Sequence, residues 1–266
     1  MLRIETHGRV RLITLDRPAA RNAVDPALAR WLYEAMLEFD ANPDVDAAVL
    51  TGAGGVFCAG FDLKAAATGA AEDWIAGLQI PETWRDPIGQ PLASPMGPAR
   101  LMLSKPVIAA IEGPAVAGGL ELALWCDVRV VADGAQMGVF CRRWGVPLID
   151  GGTVRLPMVV GQGRANDLIL TGRPVDAAEA QAMGLADRVV RQGAALEAAM
   201  ALAESLTRFP QACLRADHLS ARLAPEELAR RLRREWESLR TALAEGVAGA
   251  ARFAAGHGRG GSFKDI

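Results

Sequence analysis

Apolar and polar residues alternate at the start of the chain in a way that predicts a β-hairpin followed by a helix. Residues 2–5 and 10–15 are strand-like runs on either side of the polar turn His7-Gly8. Asp25 and Pro26 then supply the N-cap and the first position of a helix. Its apolar residues recur at the spacing of one helical face, at Leu28, Leu32, Ala35 and Phe39.

Further apolar runs predict strands that alternate with helices. Runs rich in β-branched residues and alanine lie at 47–51, 107–111, 128–132 and 187–190, with a shorter strand predicted at 137–141. Helices are predicted at 164–171 and 176–183. Five prolines interrupt every periodic pattern between residues 64 and 98. We therefore expect that segment to be mobile and to shape the mouth of a pocket.

From about residue 193 the pattern is almost entirely helical. One long helix is predicted over 225–243, with arginine and glutamate dense on one face. Its other face carries Leu228, Leu232, Trp236 and Leu239. Strands and helices that alternate for about 190 residues, followed by helices alone, predict an α/β fold. We expect an α/β core over residues 1–195 and a helical region over 196–266.

The most informative stretch, residues 105–127, combines a buried strand, a glycine turn and a short apolar helix. The helix begins at the diglycine Gly118-Gly119, so it presents unpaired N–H groups and the positive end of its dipole to a docked group. Glu121 lies in its first turn. The carboxylate of Glu121 is either a partner of the helix dipole or a catalytic acid or base.

A second glycine loop, TGAGGVFCAGFDL at 51–63, also precedes a predicted helix. Backbone N–H groups from two such loops can converge on one oxygen and stabilise an oxyanion or enolate. Glycines that serve only the turns are the alternative. Other catalytic patterns are missing, since there is no GxSxG, no P-loop and no histidine in a triad context. GQGRAN at 161–166 has an asparagine where a dinucleotide-binding loop needs its third glycine.

Composition narrows the classes of function. The formal net charge of −2 gives no electrostatic argument for nucleic-acid binding. The four cysteines form no CxxC, so the sequence predicts neither a metal site nor a disulfide framework. No apolar run approaches the roughly 18 residues of a membrane span, and the N-terminus lacks the apolar region of a signal peptide. A soluble, cytoplasmic protein that does not bind membranes is expected.

Six segments, in order, match the pattern of one known family. They are LDRPAARNAVD (15–25), FCAGFDLK (57–64), KPVIAAIEGPAVAGGLELALWCD (105–127), GGTVRLPMVVG (151–161), TGRPVDAAEAQAMGLADRVV (171–190) and FKD (263–265). Over essentially its full length the chain resembles the crotonase superfamily, the enoyl-CoA hydratase/isomerase group. The resemblance implies a spiral of ββα units, with C-terminal helices that build a homotrimer or a dimer of trimers.

The resemblance also implies which residues hold a substrate. The N–H groups of Phe61 and Gly118 would form an oxyanion hole for the thioester oxygen of an acyl-CoA. Contacts to CoA are implied for Arg21, for the backbone of Cys58, Ala59, Gly60 and Asp62, and for Lys64, with Phe263 and Lys264 reaching the CoA of a neighbouring subunit. For Lys64, an ordinary solvated lysine is the alternative. Coenzyme A enters only as part of the substrate, so no separate cofactor is expected.

Glu121 matches the first of two glutamates that the hydratases use to activate water and to protonate C2. The second position is occupied by Cys141, whose thiol is a poor substitute, so ordinary hydratase activity is expected to be weakened. Asp150, in LIDGGT, resembles a catalytic aspartate of the relatives that make dihydroxynaphthoyl-CoA; the alternative is an N-cap. Cys141 is expected to line the pocket, and Arg142 and Arg143 to meet either a substrate carboxylate or Asp150.

The resemblance thus predicts an acyl-CoA enzyme of fatty acid metabolism that works through a thioester enolate. Hydration of a 2-enoyl-CoA, a lyase reaction, is the first hypothesis. Isomerisation of an enoyl-CoA by Glu121, alone or with Asp150, is the second. A catalytically weak acyl-CoA-binding scaffold is the alternative from another class.

Overall fold

The computed structural model describes residues 1–258, in which a six-stranded and a three-stranded sheet are surrounded by helices. The strands are β1 Leu2–His7, β2 Val10–Leu15, β3 Ala47–Gly52, β4 Val107–Ile111, β5 Ala115–Val116, β6 Val128–Ala132, β7 Gln136–Gly138, β8 Val175–Asp176 and β9 Arg188–Val190. The α-helices are α1 Pro26–Ala41, α2 Leu63–Ala67, α3 Glu72–Ala76, α4 Gly118–Trp125, α5 Gly152–Val160, α6 Gln162–Thr171, α7 Ala177–Ala182, α8 Ala195–Leu206, α9 Gln211–Ser220, α10 Pro225–Glu237 and α11 Leu239–Ala254.

The large sheet has the strand order β1-β2-β3-β4-β6-β9. Its β1–β2 hairpin is antiparallel, with Leu2 opposite Leu15, and the other neighbouring strands run parallel. The small sheet has the strand order β5-β7-β8, and Ala115 of β5 pairs with Met137 of β7. Strand β5 ends two residues before α4 begins. Parallel strands require crossover connections, which the helices supply. The predicted α/β class, the hairpin and the helix that Asp25 caps are confirmed.

The two faces of the large sheet pack against different helices. Ala48 and Leu50 of β3 belong to a core that includes the buried faces of α1 and α4. Ala47 and Val49, which alternate with them, pack against Ala199 and Ala203 of α8. The division at residues 195 and 196 stays a prediction, but it falls at the start of a helix that covers the sheet.

The strand predicted at 137–141 is shorter than expected. Pairing ends at Gly138, and residues Phe140–Trp144 form a 3-10 helix that closes at Gly145 with φ 67°. Its buried residues are Cys141, Arg143 and Trp144, a spacing that suits a helical turn and not the alternation of a strand.

The helix predicted over 225–243 is two helices, α10 and α11, that meet at Ser238. The Ser238 hydroxyl donates to the Glu235 carbonyl at 2.7 Å, and the Ser238 N–H donates to the same oxygen. Serine side chains that bond back to the preceding turn bend helices, which explains the break.

The apolar face of α10 is buried within the chain itself. Leu228, Leu232 and Trp236 pack in one cluster with Leu78, Ile80, Trp84, Met102, Ile149 and Val154. The segment 64–98, which includes α3 and most of α2, is thus partly fixed by this contact; its mobility stays a prediction. The α10 face therefore needs no neighbouring subunit to cover it, and the homotrimer or dimer of trimers stays a prediction. None of the helices within residues 1–258 is long and apolar enough to cross a membrane.

Replacing Leu232 with alanine is expected to lower the free energy of unfolding by about 3 kcal/mol, because it leaves a cavity under α10. Urea unfolding would measure the change. Leu170→Ala is the control, since Leu170 is 75% exposed and its truncation should cost no more than about 0.5 kcal/mol. Equal effects for the two variants would contradict the intramolecular packing of α10.

Candidate active site

A cavity of about 610 Å³ lies at the N-terminus of α4. Its wall is built from the loop before α2, the first turn of α4, the 3-10 helix at Phe140–Trp144, residues 146–150 and the inner face of α11. Ten residues singled out from the sequence line it together: Arg21, Ala59, Phe61, Asp62, Lys64, Gly118, Glu121, Cys141, Arg143 and Asp150.

The two glycine loops meet through a short parallel pairing. The Cys58 N–H donates to the Pro114 carbonyl, and the Val116 N–H donates to the Cys58 carbonyl, both at 3.1 Å. This contact places Gly60 so close to α4 that a Cβ at residue 60 would lie 2.9 Å from the Gly118 nitrogen. Within residues 1–258, the N–H groups of Phe61 and Gly118 donate to no other group of the chain. Two unpaired donors thus border one cavity.

Ala117, directly before α4, has the unusual backbone angles φ 53° and ψ −126°. A non-glycine residue in such a conformation costs of order 1–3 kcal/mol and persists only where its surroundings hold it. The small sheet does so, because the Ala117 N–H donates to the Gly138 carbonyl at 2.9 Å. The strained residue turns the chain immediately before Gly118.

Glu121 is 3% exposed and one wall residue of the cavity. Its Oε1 accepts hydrogen bonds from the N–H groups of Asp150 at 2.8 Å and Gly152 at 2.9 Å. Burial raises the pKa of Glu121 well above its ordinary value, and the charges of Asp150 and Glu235 raise it further. A carboxyl group that holds its proton more tightly than an ordinary glutamate suits acid–base catalysis.

Asp150 is also buried, but the surrounding protein groups stabilise its carboxylate better than that of Glu121. Its Oδ1 accepts from the Met96 N–H at 2.9 Å, and the Ser94 hydroxyl is a second partner. Burial raises the pKa of Asp150, while these hydrogen bonds and the charges of Arg100 and Arg155 oppose the rise. The alternative role of Asp150 as a helix N-cap is wrong. The N-cap of α5 is Gly151, and the Asp150 side chain points to Met96 instead.

The first turn of α5 is capped by carboxylates from other helices. Glu121 of α4 accepts the Gly152 N–H, while Glu235 of α10 accepts the N–H groups of Gly151 at 2.6 Å and Thr153 at 2.7 Å. The Thr153 hydroxyl donates to Glu235 as well, at 2.8 Å. Because these donors are taken, Asp150 is not needed as a cap.

The sequence interpretation missed Glu235 because it assigned charged residues of the helix to the solvent. A signal was present: Glu235 follows Leu228 by seven residues and Leu232 by three, so it lies on the apolar stripe. A glutamate on the buried face of an amphipathic helix must have partners, and here they are backbone N–H groups.

Cys141 lines the cavity, as expected, and is buried. Burial, followed by the charge of Glu121, raises the pKa of its thiol to about 12. The sulfur is therefore a protonated thiol at neutral pH, which is a poor base and a poor nucleophile.

Replacing Cys141 with alanine is expected to leave kcat within about threefold of the wild-type value, because no proton passes through this thiol. Steady-state turnover of an enoyl-CoA would measure it, and Cys213→Ala, at an exposed cysteine, is the matched control. A hundredfold loss in Cys141→Ala alone would contradict this assignment.

The two arginines after Cys141 differ in position. Arg142 is exposed and its Nε donates to the Ile169 carbonyl at 3.1 Å, away from the cavity. Arg143 lines the cavity, with its guanidinium carbon 3.6 Å from the Phe140 ring centroid. Arg100 and Arg155 are the cations whose charges favour the Asp150 anion most, and a contact of Arg142 or Arg143 with Asp150 or with a substrate carboxylate stays a prediction.

The residues expected to contact CoA are only partly on the cavity wall. Arg21 and Lys64 are exposed at its edge. The Asp62 carboxylate caps α2 by accepting the Lys64 N–H at 3.0 Å. Cys58 is completely buried, and neither Cys58 nor Gly60 is part of the wall, while Ala59 is. The predicted contacts of Phe263 and Lys264 lie outside the described residues. Within residues 1–258 no group of three or more His, Cys, Asp or Glu side chains is placed to hold a metal ion.

These features define a class of enzyme site in which two backbone N–H groups can stabilise a developing oxyanion beside a buried acid–base group. The sequence profile described as enoyl-CoA hydratase/isomerase matches residues 5–243. The chain belongs to this family, the crotonase superfamily.

Similar proteins include enoyl-CoA hydratases and carnitinyl-CoA dehydratases. The enoyl-CoA hydratase EchA19 of Mycobacterium tuberculosis is 38% identical over 211 residues, 77% of this chain and 73% of the relative. A carnitinyl-CoA dehydratase of Citrobacter koseri is 39% identical over 210 residues, 77% of this chain and 74% of the relative. The crystal structure of carnitinyl-CoA hydratase from Mycobacterium avium superimposes with a TM-score of 0.77 at 33% identity, covering 96% of this chain and 95% of that one. The fold is thus that of the crotonase enzymes.

Proposed function

We propose that this protein hydrates a 2-enoyl-CoA thioester, with Glu121 and Asp150 as its acid–base pair. The observation that carries the proposal is the position of the Glu121 carboxyl in the same cavity as the unpaired N–H groups of Phe61 and Gly118. The family and the hydratase names of similar proteins support an acyl-CoA substrate.

The two N–H groups would bind the thioester oxygen and stabilise the enolate that forms when water adds to C3. Addition also requires a base that takes a proton from water and an acid that delivers one to C2. Two adjacent carboxyls whose environments separate their pKa values can divide this work. Glu121, whose pKa is raised well above its ordinary value, suits the acid. Asp150, whose anion Arg100 and Arg155 stabilise, suits the base.

Asp150 therefore replaces the second glutamate of the hydratases, whose position Cys141 occupies. Isomerisation of a 3-enoyl-CoA to a 2-enoyl-CoA is the second candidate. The same site could perform it, because a single carboxylate can remove a proton from C2 and return it to C4. The two reactions share the enolate and the oxyanion hole.

The test is to supply the purified protein with matched 2-enoyl-CoA and 3-enoyl-CoA thioesters of short, long, branched and aromatic acyl groups. We expect mass spectrometry to detect a 3-hydroxyacyl-CoA from the 2-enoyl series. Formation of 2-enoyl-CoA alone from the 3-enoyl series would favour the isomerase. Tight binding by isothermal titration with no turnover in either series would refute both and favour the acyl-CoA-binding scaffold.

A further inference from the structure

We propose that Glu235 of α10 is a positioning residue for the Glu121–Asp150 pair. It fixes the first turn of α5, whose N–H groups orient the Glu121 carboxyl, and it adds a third carboxylate near that pair. This inference rests on the proposed function for its catalytic consequence. Its physical basis is that the carboxyls of Glu235 and Glu121 bind the N–H groups of three consecutive residues at the start of α5, directly after Asp150.

Glu235 and Glu121 bind alternate N–H groups of the same helical turn. Glu235 accepts from Gly151 and Thr153, and Glu121 accepts from Gly152, which lies between them. The Asp150 N–H, one residue earlier, donates to Glu121. A displacement of this turn therefore moves both donors that orient the Glu121 carboxyl and also moves the Asp150 backbone.

Ordinary helix capping does not account for this arrangement. A Ser, Thr, Asp or Asn at the N-cap could satisfy locally only the N–H of Thr153 or of the following residue, and Gly151 occupies that position. The chain instead uses a glutamate from α10, 84 residues away, whose side chain is buried where the ionised form is costly. Glu235 is 5% exposed and its pKa is raised to about 7, with burial as the main cause.

The charges in this region are coupled. Three carboxyls, Glu121, Asp150 and Glu235, face two guanidinium groups, those of Arg100 and Arg155. Arg100 also stacks on Trp236, with its guanidinium carbon 4.4 Å from the ring centroid. Ionisation of one carboxyl makes ionisation of the others less favourable, so a charge on Glu235 helps Glu121 to keep its proton.

The experiment compares the pH dependence of kcat for the wild type, Glu235→Gln and Glu235→Asp. Glutamine keeps one acceptor oxygen but presents an NH2 group to the other donor and carries no charge. We expect Glu235→Gln to lower kcat about tenfold with little change in KM, because the acid–base pair is displaced. Its alkaline limb should move to lower pH, since Glu121 then loses its proton more readily.

Glu235→Asp keeps the charge and should retain the alkaline limb of the wild type. Glu237→Gln makes the same change on the exposed side of α10 and should alter neither quantity. Thr153→Val removes only the hydroxyl contact and should leave the pH profile unchanged. A Glu235→Gln variant that is less stable but keeps the kcat and the alkaline limb of the wild type would overturn the proposal and leave Glu235 a structural cap.

An infrared titration separates this proposal from the proposed function. The carbonyl stretch of protonated carboxylic acids reports on the buried carboxyls in the absence of substrate. The band that is missing in Glu121→Gln is the band of Glu121. We expect the Glu121 band to disappear at lower pH in Glu235→Gln than in the wild type. An unchanged titration would refute the coupling. Absence of enoyl-CoA turnover in the wild type, together with a shifted band, would refute only the proposed function.

Discussion

Replacing Glu121 with glutamine is expected to lower kcat by roughly a thousandfold, within the range for loss of one acid–base group. Glutamine has nearly the same shape, and its Oε1 can still accept from the N–H groups of Asp150 and Gly152. The change therefore removes proton transfer while leaving the first turn of α5 in place. Steady-state kinetics on the best enoyl-CoA would measure kcat, with isothermal titration to confirm that acyl-CoA binding is retained.

The same variant should be more resistant to alkaline destabilisation. The folded state holds the Glu121 proton more tightly than the unfolded chain, in which the carboxyl has its ordinary pKa near 4.5. Wild-type stability therefore falls as pH rises from that value through the raised pKa, and glutamine removes this contribution. We expect the difference in Tm, variant minus wild type, to grow with pH across that window. Unimpaired turnover in Glu121→Gln would exclude Glu121 as the acid.

Much of the fold was predictable because it depends on local patterns. Periodicity, turn residues or capping residues predict the hairpin, α1 with its Asp25 cap, and the strands at 47–52, 107–111 and 128–132. The two glycine loops were also recognisable locally, since glycine permits the close approach of backbones that joins them. The pairing between Cys58 and Ala115, which brings the loops together, was not predictable, because it joins residues far apart in the sequence.

The electrostatics of the site were least accessible from the sequence. Asp150 before a glycine pair has the local pattern of a helix cap, yet carboxylates from α4 and α10 already bind the N–H groups of that turn. Glu235 itself looks like one more charged residue in a segment dense with arginine and glutamate. Which carboxyls share a turn, and which guanidinium groups neutralise them, depends on tertiary contacts alone.

Replacing Gly60 with alanine is expected to lower kcat/KM by roughly a hundredfold to a thousandfold, the cost of losing one oxyanion-hole donor. A Cβ at residue 60 would lie 2.9 Å from the Gly118 nitrogen and 3.0 Å from the Ala117 Cβ. The added methyl group would therefore occupy the space at the Gly118 N–H or push α4 away from Phe61. No ionisable group changes, so the pH profile of the residual activity should remain that of the wild type.

Backbone strain must be separated from this clash, because Gly60 has φ +97°, a conformation that L-residues rarely adopt. Gly193 is the matched control: it has φ +87°, and a Cβ there would meet nothing within 4 Å. Both alanine variants should lose about 1–2 kcal/mol of unfolding free energy from the positive φ. Only Gly60→Ala should lose activity. If both variants retain full turnover, the N–H groups of Phe61 and Gly118 do not form the catalytic oxyanion hole; if both lose it equally, strain and not the clash is the cause.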